Sequence, residues 1–166
     1  MDDGFAEYVA HRQPRLRRMA YLLTRDWGTA EDVVQTALAK AWLAWRRIEG
    51  NPDPYVYRII VNTHTSWWRR RWRGEVPSET LPETADPRDA AAEVDDQAAL
   101  WRAIGTLSPR QRAVIVLHYY EGRTLTQVAD IVGCSLGAVK SQLSRALTRL
   151  RVDPDVQSMS LERVQR

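Results

Sequence analysis

Apolar residues recur at helical spacing along most of the chain and predict a series of helices. Phe5, Tyr8, Val9, Leu16, Met19, Leu22 and Leu23 mark a first helix from about Gly4 to Thr24, with Pro14 signalling a kink or a late start. Val34, Leu38, Ala41, Trp42, Trp45 and Ile48 form the apolar face of a second. Thr29 is the expected cap of that helix, with Asp32 three residues on as a weak capping box. The breaker Gly50-Asn51-Pro52-Asp53-Pro54 ends it. Asp53 then stands where an N-cap belongs and Pro54 suits the first helical position. A third helix should run from Pro54 to about Arg73, with Val56, Ile59, Ile60, Thr63 and Trp67 as its inner stripe.

In the second half, Ser108 and Pro109 open a helix that carries Val114, Leu117 and Tyr120. Leu125 to Leu150 then fits a helix-turn-helix. Its first helix, Leu125–Val132, puts Ala129 where two helices must approach closely. Gly133 supplies the left-handed turn, and Ser135 caps the second helix. Val139, Leu143, Leu147 and Leu150 face inward there, and Lys140, Ser141, Ser144, Arg145 and Arg149 face outward. The pattern is all-α.

Charge divides the 166 residues into three. Residues 1–74 carry 13 Lys+Arg against 8 Asp+Glu, a net of +5. Residues 75–97 carry 8 acids against Arg88 alone, a net of −7, and residues 98–166 return to +5. The middle block contains Pro77, Pro82 and Pro87 and almost no large apolar residue, so it cannot offset its own ordering entropy. It reads as a flexible acidic linker between two small helical domains, 1–74 and 98–166. Residues 152–166 add a short tail in which Leu161 and Val164 form at most one amphipathic turn.

Other classes of chemistry are poorly represented. No apolar run approaches the ~20 residues of a membrane span, and the acidic N-terminus does not resemble a secretory signal. The single cysteine, Cys134, excludes an intramolecular disulfide framework and a Cys-based zinc cluster. His11, His64 and His118 are scattered without ligand spacing, and neither a phosphate-cradling loop nor a Ser/His/Asp arrangement occurs. The expectation is a cytoplasmic protein that is not an enzyme, with no catalytic residue, metal or cofactor.

Two surfaces suggest nucleic acid instead. Trp67-Trp68-Arg69-Arg70-Arg71-Trp72-Arg73 combines arginines that neutralise phosphate with indoles on which unpaired bases stack. The bland alternative is a solvated basic helix end that complements the helix dipole. The outer face of the helix-turn-helix suits a helix lying in the major groove.

Several of these segments together resemble one family. Ala30-Glu31-Asp32-Val33-Val34-Gln35 followed by Ala41-Trp42, and then Tyr57-Arg58-Ile59-Ile60-Val61-Asn62, resemble two helices of bacterial RNA polymerase sigma factors. Leu107-Ser108-Pro109-Arg110-Gln111-Arg112-Ala113-Val114 and Gly133-Cys134-Ser135-Leu136-Gly137-Ala138-Val139-Lys140-Ser141 resemble their C-terminal domain. The small size is similar to the extracytoplasmic-function group, which keeps only two domains. The resemblance implies that Asp32, Gln35 and Trp42 meet the clamp helices of the polymerase's largest subunit. It implies that Val114 and Leu117 meet the flap of the second-largest subunit. Asn51, Asp53, Asn62, Trp67, Arg69, Arg70 and Arg71 would capture and melt the minus-ten element. Lys140, Ser141, Ser144, Arg145 and Arg149 would read the minus-thirty-five element. Core polymerase and promoter DNA are the implied partners of a chain that is monomeric when free. An anti-sigma partner is left open. The alternatives are a DNA-binding repressor or activator, which would need a dimerisation domain to read two half-sites, and a protein that titrates a partner.

Overall fold

The computed structural model describes residues 3–72, 95–154 and 156–157, and among these the regular structure is helical throughout. Most of the acidic segment 75–97, the side chain of Arg71 and the tail from residue 158 onward lie outside the described residues. Two compact units emerge, the first built on helices α1–α3 and the second on α4, α5 and α7.

Helix α1, Asp3–Thr24, runs through Pro14 rather than starting after it. Pro14 and Ala10 are both exposed, so water can take the Ala10 carbonyl that the proline leaves without an N–H partner. The following turn of the helix is fixed by Leu16, Met19, Ala20 and Leu23, all fully buried. Helix α2, Trp27–Ala44, starts two residues ahead of the expected cap. Asp26 is the N-cap, and its Oδ2 accepts from the Thr29 N–H at 2.8 Å and from the Thr29 hydroxyl at 2.7 Å. Thr29 therefore lies inside the first turn, and Asp32 is left exposed with no part in capping. Ala30, Val33, Val34, Ala37, Leu38, Ala41 and Ala44 line the buried face of α2, where small side chains let α1 and α3 come close. A 3-10 turn, Trp45–Arg47, ends it.

Helix α3, Asp53–Trp72, buries Val56, Tyr57, Ile60, Val61 and His64. The stripe is thus rotated from the one expected: Ile59 and Thr63 flank it, and Tyr57, Val61 and His64 lie within it. Asp53 does not cap the helix. The Pro52 carbonyl accepts the first helical N–H, from Val56 at 3.1 Å, and Asn51 Oδ1 accepts from the Asp53 N–H at 3.0 Å.

In the second unit, helix α4, Asp95–Gly105, begins inside the segment assigned to the linker. Helix α5, Pro109–Ile115, opens with a full capping box, Ser108 and Gln111 exchanging bonds at 3.2 Å each, and continues into a π-helical turn, Val116–Tyr120. Arg112 is buried in this scaffold. Its Nη2 donates to the carbonyls of Gly105 at 3.1 Å and Leu107 at 3.2 Å, satisfying the C-terminal end of α4 as a cation should. Leu107, Ile115 and Ala146 form a small core, closed over by Leu143, Leu147 and Leu150. Helix α7, Leu136–Val152, completes the unit; α6, Leu125–Val132, has the bounds the sequence indicated for the first helix of the helix-turn-helix, and α7 runs two residues past the expected end at Leu150.

Candidate functional site

The turn before α7 is built from local signals. Thr124 and Gln127 cap α6 reciprocally, at 2.9 and 3.1 Å. Gly133 adopts φ +77°, and the Cys134 N–H closes the helix end on the Ala129 carbonyl at 3.1 Å. Ser135 Oγ then accepts from the Ala138 N–H at 3.1 Å and starts α7. The turn thereby sets the rotation of α7. Val139 and Ala146 are buried, and Lys140, Ser141, Ser144, Arg145 and Arg149 are all exposed. Arg149 is partly tethered, its Nε donating to Thr106 Oγ1 at 3.4 Å. The outer face offers hydroxyls and cations and no acid, which suits base edges flanked by phosphates.

On α2, Asp32, Gln35, Thr36, Ala39, Trp42 and Leu43 share one stripe of the helix, each three or four residues from another member, and all are exposed. Leu43 is 79% exposed and Trp42 42% exposed, so this stripe is acidic and amide-bearing at one end and apolar at the other. A solvent-facing leucine and indole on one stripe suit a protein partner better than water. Trp42 is also packed by Phe5, with ring centroids 5.1 Å apart. Its place is therefore the edge of the face and not the centre of the core stripe.

The third group divides. Asn51, Asn62, Arg69 and Arg70 are exposed and Trp67 is half-buried, while the Arg71 side chain lies outside the described residues. Asp53 departs from expectation. Only 7% exposed, it accepts from the Tyr8 hydroxyl at 2.8 Å, Arg12 Nε at 3.1 Å and Arg12 Nη2 at 2.6 Å. Both carboxylate oxygens are engaged within the helix bundle, so Asp53 is a strut and not an open base-binding group. Burial, and then the bond to Asp53, pushes the Tyr8 phenol well above its ordinary value. Burial works against the Arg12 charge, but Tyr57 and Asp53 outweigh it and raise its pKa. Val114 and Leu117 are a second correction. Both are 0% exposed, because they face inward on the α5 scaffold, and neither presents a surface to a partner.

Tyr8, Arg12 and Arg112 make polar contacts that periodicity does not reveal. Their partners lie 45, 41 and 5–7 residues away, and only for Arg112 is the separation short enough to suggest a link. Among the described residues no group of three His, Cys, Asp or Glu could hold a metal ion, and no helix is long and apolar enough to cross a membrane.

Residues 8–74 match the family model for sigma-70 region 2, and residues 97–150 match that for sigma-70 region 4. The RNA polymerase sigma-E factor of Streptomyces coelicolor is 44% identical over 98% of this chain and 94% of its own length. The ECF RNA polymerase sigma factor SigL of Mycobacterium tuberculosis is 33% identical over 82% of this chain and 81% of its own. The chain belongs to the sigma-70 family, in its extracytoplasmic-function group. The sigma factor RpoE of Bartonella quintana, solved with the anti-sigma factor NepR, has a similar structure. Its TM-score is 0.72 at 30% identity, over 89% of this chain and 94% of that one. As a sigma factor, this protein acts in transcription initiation by RNA polymerase.

Proposed function

We propose that this sigma factor divides its work between its two units. The region 2-like part, residues 1–74, docks on the clamp helices of the largest polymerase subunit through Asp32, Gln35 and Trp42 on the exposed stripe of α2. Its loop 49–52 and the α3 side chains Asn62, Trp67, Arg69, Arg70 and Arg71 take up the minus-ten element as it opens. The region 4-like part, residues 98–166, reads the minus-thirty-five element with Lys140, Ser141 and Ser144, while Arg145 and Arg149 hold phosphate. With Val114 and Leu117 buried, contact with the polymerase flap falls to exposed neighbours such as Leu100 and Tyr119. The acidic segment 75–97 joins the parts, the free chain is a monomer, and the reaction takes place in the cytoplasm without a cofactor. Solved relatives carry anti-sigma factors, which supports a protein of that kind as a further partner here.

The observation that carries this reading is the two-sidedness of α7. A capped helix whose inner face holds Val139 and Ala146 exposes Lys140, Ser141, Ser144, Arg145, Thr148 and Arg149, none of them an acid. The test is run-off transcription from a cognate promoter by core polymerase with and without the chain. Promoter-specific transcripts are expected only with it. Asp32→Ala is expected to weaken binding to core polymerase and leave the circular dichroism spectrum unchanged. Transcription that does not depend on the chain, together with tight dimeric binding of the chain alone to duplex DNA, would favour the repressor reading.

A further inference from the structure

One face of α1 grips both ends of the segment that joins α2 to α3. Phe5, Tyr8 and Arg12 lie on that face at three- and four-residue spacing. Upstream of the segment, Phe5 packs on Trp45 with centroids 5.1 Å apart, and Tyr8 packs on Trp45 at 5.4 Å. Downstream of it, Tyr8 and Arg12 hold the Asp53 carboxylate, and Arg12 Nη2 also donates to the Tyr57 hydroxyl at 2.7 Å. Between these stems the chain has little freedom. Gly50 takes φ +72°, Pro52 has its φ set by its ring, and Asn51 folds back to accept the Asp53 N–H at 3.0 Å.

This arrangement does more than packing requires. The core of the bundle is already supplied by Leu16, Met19, Leu23, Val34, Leu38 and Ile60. A buried ion pair gains little over well-packed apolar residues of similar volume. What it adds is direction: three donors converge on two oxygens, and a shift of Asp53 by an ångström would break at least one bond. Asp53 is the covalent end of the loop, so holding its carboxylate holds the loop backbone.

We propose that Tyr8 and Arg12 are positioning residues for minus-ten recognition, fixing Asp53 and through it the shape in which loop 49–52 receives an unpaired base. This rests on the reading of that loop as the capturing element. Tyr8 and Arg12 act at a distance and touch no DNA themselves.

The experiment uses holoenzyme reconstituted with the full chain carrying Tyr8→Phe, Arg12→Gln or Asp53→Asn. Strand opening is followed with a fluorescent base analogue, on a matched promoter and on one with a single substitution in the minus-ten element. Positioning predicts that the ratio of the two opening rates falls by about tenfold, since small misplacements at a recognition site are costly. Affinity for core polymerase and preference at the upstream element should stay at their wild-type values. If the network only stabilises the fold, both promoters slow by the same factor and the ratio is unchanged, which overturns the proposal. Tyr8→Phe removes one hydroxyl and keeps the ring packing, so the test survives if Arg12→Gln does not fold. Glu49→Ala and Asn51→Ala are the separate test of the loop. If these two leave discrimination intact, the loop reading fails and the proposal with it. If they alter discrimination and Tyr8→Phe and Arg12→Gln do not, the positioning proposal fails alone.

Discussion

Replacing Asp53 with alanine measures how much of the first unit hangs on one carboxylate. Its side chain is 10% exposed and that of its partner Arg12 is 29% exposed, so the pair lies between a surface and a buried ion pair. Surface pairs are worth ~0–1 kcal/mol, and removing one partner of a buried pair costs ~3–5 kcal/mol. Three hydrogen bonds to the charged group are lost, two from Arg12 and one from Tyr8. Each such bond is worth ~1.5–3 kcal/mol, but losses within one network do not add. Arg12 regains part of its hydration, whereas the Tyr8 hydroxyl is left half-buried. The expected loss is ~3 kcal/mol, closer to the buried limit because the carboxylate is the more enclosed partner. Six of the seven tryptophans lie within residues 1–74, so fluorescence during urea unfolding reports that unit almost alone. The midpoint should fall with an unchanged slope. A loss below ~1 kcal/mol would refute the reasoning and make the pair a solvated one. The double variant Arg12→Met with Asp53→Leu should regain most of the loss, because it leaves no charge without a partner.

Three further outcomes are expected. Arg112→Met should destabilise the second unit by ~2 kcal/mol, since the carbonyls of Gly105 and Leu107 lose their buried donor; faster amide hydrogen exchange in α4 and α5 reads this directly. The raised pKa of Tyr8 means that above pH ~10 the unfolded chain releases a proton that the folded chain keeps. The stability it contributes is complete below that pH and is lost as the pH rises toward the folded value, by up to ~1.4 kcal/mol per pH unit, and Tyr8→Phe should flatten that slope in alkaline unfolding curves. On α7, Lys140→Ala should cost ~1–3 kcal/mol and relax preference at one or two upstream positions, whereas Arg145→Ala should weaken all promoters alike and reduce the salt slope by about one, both read from holoenzyme binding at several salt concentrations.

The second unit was the more legible because its signals are local. Gly133, Ser135 and the period of Val139, Leu143, Leu147 and Leu150 lie within 18 residues and need no knowledge of the rest of the chain. Where a polar residue answers to a distant partner, periodicity misassigns it. Tyr57 and His64 belong to the buried face of α3, yet a phenol and an imidazole do not register as core. Tyr57 is accommodated because Arg12, 45 residues earlier, donates to its hydroxyl. Asp53 carries every local mark of a cap, and its carboxylate still turns to Arg12 and Tyr8, because three bonds outweigh one. The start of α2 was misjudged for a smaller reason. Asp26 and Thr29 both favour caps, and the carboxylate of Asp26 satisfies both the N–H and the hydroxyl of Thr29. Among the candidate site residues, a helical wheel separates the outer face of α7 from its core, but it cannot tell an apolar residue used for packing from one used for docking. Val114 and Leu117 are packing residues, and Leu43, outside the expected apolar face of α2, is exposed.

That difference decides how freely each recognition surface can change. On α7 the reading side chains stand on the face opposite the core, so substitutions there alter contacts with DNA while the packing of Val139 and Ala146 is untouched. Specificity and stability are then separate properties, and a family can vary one without risking the other. The α2–α3 loop is built differently. Its shape depends on a carboxylate held by two residues of α1, so a change that frees the loop also removes bonds from the bundle. Variants of Lys140 or Ser141 should therefore shift promoter preference at constant stability. At Asp53, by contrast, no substitution can move the one without the other.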